Sequence, residues 1–427
     1  MVIGIDASRA NRKHKNGIEW YAYYLIKYFA QIDKENKYIL YTDRPLEGGL
    51  VDLTKMDPSL EEYEKPKFRK GFQIIKSPHN NFQAEILNWP FPYLWTLGRL
   101  SLEMIIKKPD ILFMPTSGIP LAGFKKTINT VHDVAFKREV SVYERSNLGP
   151  KERFGRRIIN FLVRAFTWGK QGANTADYLD WSTEFSVKNA KKIISVSQFT
   201  KEEIIKLYDC PKEKIEVVYN GFNNSLYRKI EDKEKINKVL DKYGIEGPYL
   251  LYVGRLEKKK NTSLLIEAFA KARHFNKDIK EKLVLIGDAG FGFDEIIYAI
   301  NEFNLENEVI IPGWVEEEDM PYMFNGATAF IFPSRHEGFG IPILQAFGCG
   351  VPVITSDIPV LREIGGDAAL FFNYLDKDAI GRAIEKVTTN KDLREELARK
   401  GLMRAKDFSW NKCAQKTLKV IRGLQNL

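Results

Sequence analysis

Cysteine is scarce, with Cys210, Cys349 and Cys413 the only three in 427 residues. Their odd number and lack of metal-ligand spacing exclude a disulfide scaffold and a zinc module, and point to a reducing compartment. Long apolar runs are absent too, and no stretch approaches the ~20 residues of a transmembrane helix. The N-terminal MVIGIDASRA reads as a short strand followed by polar residues, not as a secretory signal. The sequence thus predicts a cytoplasmic protein, with peripheral attachment to an anionic inner membrane face the one membrane arrangement left open. Asp-x-Asp occurs once, in LDKDAI, where Asp376 and Asp378 open a helix and read as caps. No metal site and no cofactor is expected. Charge of one sign is only mildly in excess: 65 Lys+Arg against 56 Asp+Glu give +9, spread along the chain. That balance suits an anionic small ligand, an anionic membrane surface or simply a lysine-rich solvated surface. No nucleic-acid motif accompanies it, and nucleic acid is not an expected partner.

What the chain does have is length and alternation. With 44% hydrophobic and 12% aromatic residues it is globular in composition, and 427 residues exceed one ordinary core. Apolar strand-like runs alternate with helical patterns, which argues for parallel sheets covered by helices. The first half offers VIGID, YILYT, ILFMP, INTVH, KIISVS and IEVVY; the second offers YLLYVG, LVLIG, VIIPGW, AFIFPS, VPVITS and AALFF. Among the helices, GIEWYAYYLIKYFAQI places Ile18, Tyr21, Leu25, Tyr28 and Phe29 on one face. The charged stretch 223–248 reads as a linker and helix between two domains. The predicted fold class is α/β, with two Rossmann-like doubly wound domains facing across a cleft and ligands at the carboxyl ends of the strands. The boundaries expected are 1–225 for the first domain, joined by a C-terminal helix over 410–427, and 226–409 for the second.

Three loops draw attention. In RHEGFGIPILQAFGCGVPVITSD, Glu337 stands where a βα loop opens, Gly338 and Gly340 allow close backbone approach, and Pro342 suits the first helical turn. Gln345 falls near the positive end of that helix. In YVGRLEKKKNTSLLIEAFAKA, Arg255 and Lys260 precede a helix for which Asn261 is the predicted N-cap, an arrangement suited to a diphosphate. Read singly, Lys258, Lys259 and Lys260 are solvated loop charges; the spacing from Arg255 to Lys260 favours the ligand. In the first half, INTVHDVAF sets His132 and Asp133 at a strand's end, and IDASRANRKHKNGIEWY brings Asp6, Arg9 and Gly17 to the end of the first strand. A lone histidine is also commonly a satisfied polar group.

Together these elements resemble the retaining glycosyltransferases of family 4, which have the GT-B fold. VGRLEKKKN followed by PSRHEGFGIPILQAFGCGVPVITSD is similar to their donor-binding half, and VHD, NGIEWY, VSQFTKEEI, VVYNG and the terminal FSW helix agree in order and spacing. The resemblance implies that Arg255 and Lys260 hold the diphosphate of a nucleotide sugar, a UDP- or GDP-hexose. Glu337 touches the sugar hydroxyls, and the backbone of Gly338, Phe339 and Gly340 lines the same pocket. Trp314 and Val315 of PGWV lie at the strand end that cradles the base. His132 contacts the sugar near the reacting carbon. Asp6, Arg9, Gly17 and Asp133 belong to the acceptor side, which takes a glycan or lipid-linked acceptor. Gln345 stands where the family carries a ribose-binding glutamate. The implied activity is retaining, metal-independent hexosyl transfer in cell-surface polysaccharide synthesis. The alternatives are a phosphorylase or synthase of the same fold, or a nucleotide-binding protein without turnover. Two further stretches read as membrane or acceptor contacts: KERFGRRIINFLVRAFTWGK, a basic amphipathic helix that could equally pack on its own domain, and the aromatic-rich NWPFPYLWTLGRL.

Overall fold

A computed structural model describes residues 1–56, 67–69, 71–90, 94–123, 126–138 and 175–425. The expected amphipathic helix over 151–170 lies outside these residues. The described chain forms two units, one holding residues up to Asn220 together with the segment from Trp410, the other Gly221–Ser409.

The first unit is built on a nine-stranded sheet of β1 (Val2–Asp6), β2 (Lys37–Thr42), β3 (Phe68–Arg69), β4 (Phe72–Ile74), β5 (Phe82–Ile86), β6 (Ile111–Met114), β7 (Thr127–Val131), β8 (Lys192–Ser195) and β9 (Ile215–Val217). Its order is β3-β4-β5-β2-β1-β6-β7-β8-β9, parallel except at the β3–β4 and β4–β5 pairings. The order reverses between β1 and β6. The central strands are continuous apolar runs because helices cover both faces of the sheet. β3, β4 and β5 have no counterpart in the sequence reading. β3 and β4 are short, and Gln73 in β4 is fully buried because its amide exchanges two 2.8 Å bonds with the backbone of Leu46.

The helix Gly17–Ile32 buries more than one face. Tyr21, Leu25 and Phe29 pack inward as expected, while Ile18, in the first turn at the rim, is exposed and Tyr28 is only half-buried. Tyr23, Tyr24 and Ile26 are buried as well, which a single sheet-facing stripe does not explain. The terminal helix Trp410–Gly423 covers Tyr24, on which Trp410 stacks with ring centres 5.3 Å apart while meeting Tyr21 edge-on at 6.1 Å; Tyr23 lies against the turn at Gly49. An ion pair closes the far end, where Arg422 reaches Asp33 at 3.0 Å and Glu35 at 3.2 Å.

Asp33 is fully buried. Burial alone would raise its pKa, but bonds from Asn36, Tyr38 and the Glu35 N–H, with the Arg422 charge, hold it below the ordinary carboxylate value. A depressed native pKa gives stability that is fully present above the unfolded-state value, about 3.9, and lost as pH falls through the native one. Asp33→Asn should therefore flatten the acid limb of the first unit's stability profile. Melting curves from pH 6 to pH 2 check this; equal slopes in both proteins would remove Asp33 from the account.

The second unit carries β10 (Tyr249–Val253), β11 (Lys282–Ile286), β12 (Val309–Gly313), β13 (Ala329–Phe332), β14 (Val353–Ser356) and β15 (Ala369–Phe372). All pairings are parallel, in the order β12-β11-β10-β13-β14-β15. Here the order reverses between β10 and β13. In an open α/β sheet, the crevice for a ligand lies at the carboxyl ends of the strands flanking such a reversal.

Candidate functional site

The loops leaving β10 and β13 hold the two motifs singled out from the sequence. Gly254 and Gly287 let the backbones at the ends of β10 and β11 approach: their φ angles are +154° and +147°, and a Cβ on Gly287 would sit 2.0 Å from the Gly254 carbonyl oxygen. Beyond Gly254, residues Lys258–Lys260 form a 3-10 turn, followed by the helix Thr262–Phe275. Asn261 has left-handed geometry, φ +61°, and its side chain does not cap the helix. Its amide instead donates to the Tyr374 carbonyl at 2.7 Å, and its oxygen accepts from Arg335 Nε at 3.0 Å. Arg335 N–H also donates to the Lys259 carbonyl at 3.0 Å. Asn261 is thus a tether between the two loops.

At their junction the Lys260 ammonium bonds the Glu337 carboxylate, which also accepts from Ser334 Oγ at 2.7 Å. Lys260 lies over the Phe332 ring, 5.4 Å from its centre. The two charged side chains are 14% and 13% exposed, so solvent screens them little yet reaches both. Arg255 is different. It is 60% exposed, and the Glu257 carboxylate is 3.9 Å away. Tyr252 is buried beneath and donates to the Arg255 carbonyl at 3.0 Å, fixing where the loop departs. Burial pushes the Tyr252 pKa well up, helped by the nearby Glu337 and Glu257 charges. It stays a neutral donor.

Gly338, Phe339 and Gly340 are buried. Phe339 turns its ring inward onto Phe408, centres 5.9 Å apart, leaving only backbone for any ligand. Gly340 precedes the helix Ile341–Gly348 with φ +104°, and a Cβ there would approach Leu361 to 3.0 Å. Pro342 sits in the first turn and Gln345 in the second, half-buried. Trp314 and Val315 follow β12, at the sheet edge beyond β11; Trp314 is exposed and Val315 buried. Asp376 caps its helix by accepting from the Asp378 N–H at 2.8 Å, and Asp378 pairs with Lys271 at 2.5 Å. An open groove of about 630 Å³ lies at the other end of this sheet, lined by Lys271, Arg273, Phe275 and Lys277 among others, and takes in none of Arg255, Lys260, Glu337 and Gln345.

In the first unit, His132 directly follows β7, and its Nε2 lies 2.9 Å from the carbonyl of Pro115, just past β6. A carbonyl can only accept, so Nε2 carries the proton and Nδ1 keeps its lone pair. Burial pushes the imidazole pKa down, keeping the ring neutral near pH 7. Tyr21 meets the ring edge-on at 4.8 Å, its hydroxyl 3.0 Å from Thr130 Oγ1. Asp133 accepts from the Ala135 N–H at 3.2 Å. Asp6 is buried and bent back on its own loop, accepting from the Ser8 N–H at 2.9 Å and hydroxyl at 2.6 Å; burial raises its pKa. Arg9 is exposed and pairs with Glu19 at 3.4 Å, and Gly17 is the exposed first residue of its helix. Glu19 accepts from the Asn16 N–H at 3.3 Å, closing that helix start. Ser334, Tyr252 and Glu19 were not singled out in the sequence, and Tyr21 only as a residue on the inner face of its helix. Only the Asn16–Glu19 spacing carries a local signal, that of a capping box.

Two doubly wound units of this kind define the GT-B fold. Sucrose-phosphate synthase from Thermosynechococcus elongatus superposes with a TM-score of 0.70 at 18% identity, over 100% of this chain and 99% of that one. Anabaena HepE, solved in complex with UDP-glucose, gives 0.65 at 17% identity over 99% of each chain. The model for Glycosyltransferase Family 4 matches residues 15–226, and that for Glycosyl transferases group 1 matches residues 232–403. The chain belongs to the family 4 glycosyltransferases. Among curated relatives, O-antigen chain mannosyltransferase B of Escherichia coli is 34% identical over 248 residues, 58% of this chain and 64% of that protein. The match therefore spans less than two thirds of that relative.

Proposed function

We propose that the chain transfers a hexosyl group, with retention, from a UDP- or GDP-hexose to a glycan or lipid-linked acceptor in cell-surface polysaccharide synthesis. The observation that carries this reading is the Lys260–Glu337–Ser334 assembly at the strand reversal of the second unit. An ammonium held near a helix start suits the departing diphosphate, and an oriented carboxylate suits the hydroxyls of the donor sugar. The E. coli relative's name favours mannose as the hexose.

In the step proposed, the acceptor oxygen bonds to the anomeric carbon on the face from which the diphosphate leaves. The bond from that carbon to the phosphate oxygen breaks, and the acceptor proton passes to that oxygen. Lys260 and Arg255 meet the developing charge. Both carboxylates of the single Asp-x-Asp are engaged in capping and ion pairing, which favours a step that needs no divalent cation. The test supplies GDP-mannose or UDP-glucose with a p-nitrophenyl α-mannoside acceptor in EDTA. An α-linked product with release of nucleoside diphosphate is expected. A β-linked product would overturn retention, and activity restored only by Mg²⁺ would overturn metal independence.

Gln345 is proposed to take the ribose hydroxyls. Its amide can accept from one and donate to the other, though neutral bonds are roughly half as strong as charge-assisted ones. Gln345→Leu should raise the donor KM with kcat nearly unchanged, the mark of uniform binding lost. Gln345→Glu should change donor affinity by less than about tenfold, roughly 1.4 kcal/mol. Steady-state kinetics of both variants check this; a fall in kcat with unchanged KM for Gln345→Leu would contradict it.

A further inference from the structure

The short helix Ser101–Ile106 faces water with the wrong side. Ser101, Glu103 and Met104 are buried, whereas Leu102, Ile105 and Ile106 are 49%, 67% and 70% exposed. Their spacing, i, i+3 and i+4, makes one continuous apolar stripe. Lys107 and Lys108 follow at once and both are exposed. Lys107 Nζ lies over the Phe72 ring, 4.6 Å from its centre, linking the stripe to β4. On β4, Phe72 and Ile74 point to one face, since side chains alternate along a strand. Ile74 is exposed, and opposite them on the edge strand stand the exposed Arg69 and Lys67.

Two of the nearby acids are turned inward. Glu103 is buried and pairs with Arg99 at 2.8 Å. Glu85 lies largely buried, 3.9 Å from Lys107, and burial together with Glu103 pushes its pKa up. Among the described residues the stripe and its flank are therefore aliphatic and positive, and the next acid along the chain, the exposed Asp110, accepts from the Val2 N–H at 2.7 Å. Protein interfaces favour aromatic residues and arginine and are depleted in lysine. Exposed isoleucines ringed by lysines match instead an interface that takes up alkyl chains and presents anionic headgroups.

We propose that this face of the first unit docks the chain on an anionic lipid bilayer. Leu102, Ile105 and Ile106 enter the headgroup boundary, and Lys107, Lys108 and Arg69 lie against the lipid phosphates. This goes beyond the transfer reaction and does not depend on the donor. The test is flotation of the full chain with vesicles of phosphatidylglycerol and phosphatidylethanolamine, against phosphatidylcholine alone. Binding to the anionic vesicles at low salt, lost on the neutral ones, is expected. Ile105→Gln with Ile106→Gln should weaken binding at least about tenfold, since each loses apolar burial. Lys107→Gln with Lys108→Gln should weaken it roughly twenty-five-fold at low salt, about fivefold per cation. All four positions are exposed, and unchanged melting curves establish that the variants fold. Absence of wild-type binding overturns the proposal. So does undiminished binding by the isoleucine variant, which would move the contact to another segment such as 151–170. A dimer lost in that variant while vesicle binding persists would assign the face to a second copy and overturn it equally.

Discussion

Lys260→Ala should lower kcat/KM at least about a hundredfold, the largest loss expected from any single change in this chain. Two effects combine. The ammonium is the least exposed cation placed against the proposed leaving group, and removing one such electrostatic contact typically costs 10²–10³ in rate. It is also the cationic partner of Glu337, 77 positions away in sequence. Without it, that carboxylate keeps the Ser334 hydroxyl alone among the described residues and loses the contact that orients it. Arg255→Ala should cost less, about tenfold, because an arginine 60% exposed acts largely through solvent. Initial rates across donor concentrations separate the two variants. A Lys260→Ala protein retaining a third of wild-type activity would remove Lys260 from the reaction.

The second large effect is on stability. Trp410→Ala should destabilise the first unit by about 3–5 kcal/mol, the usual cost of truncating a buried aromatic. Trp410 is among the largest fully buried side chains and holds the terminal helix to Tyr24 and Tyr21. Tyr21 in turn sits edge-on against His132. The same truncation should therefore reduce turnover before it unfolds anything globally. Because the chain has two units, calorimetry should show two transitions, and only that of the first unit should move. Trp410→Phe should recover most of the loss. A shift below about 1 kcal/mol for the alanine variant would mean the terminal helix is held by Arg422 and its other contacts instead.

How much of this was legible in the sequence depends on the distance over which each feature is encoded. The inner parallel strands of the second unit were legible because such a strand is a local apolar run buried on both faces; VITS needs no context to be read. The strands β3 to β5 were not, since Gln73 is inside only by virtue of a bond to Leu46, a loop residue 27 positions away. Asn261 had the residue type and place of an N-cap, and the structure gives its side chain to Tyr374 and Arg335. A residue type states what a side chain can bond; the fold decides which partner arrives. Glu337 and Lys260 were both legible as candidates from their own loops. That they meet, and that Ser334 completes the set, follows from β10 and β13 being sheet neighbours, which only the strand order reveals. Ile18 and Tyr28 erred for a related reason: a helix wheel gives the faces but not what covers the second one.

The central claim is that the second unit binds a nucleoside diphosphate through the loops after β10 and β13. Calorimetric titration of the full chain with GDP and with UDP, in EDTA, tests it without any choice of sugar or acceptor. One of the two should bind with one site per chain, and Lys260→Ala should weaken that binding about ten- to a hundredfold, the worth of a charge-assisted contact. Binding of neither nucleotide, or equal affinity in the wild type and in Lys260→Ala, would contradict the account.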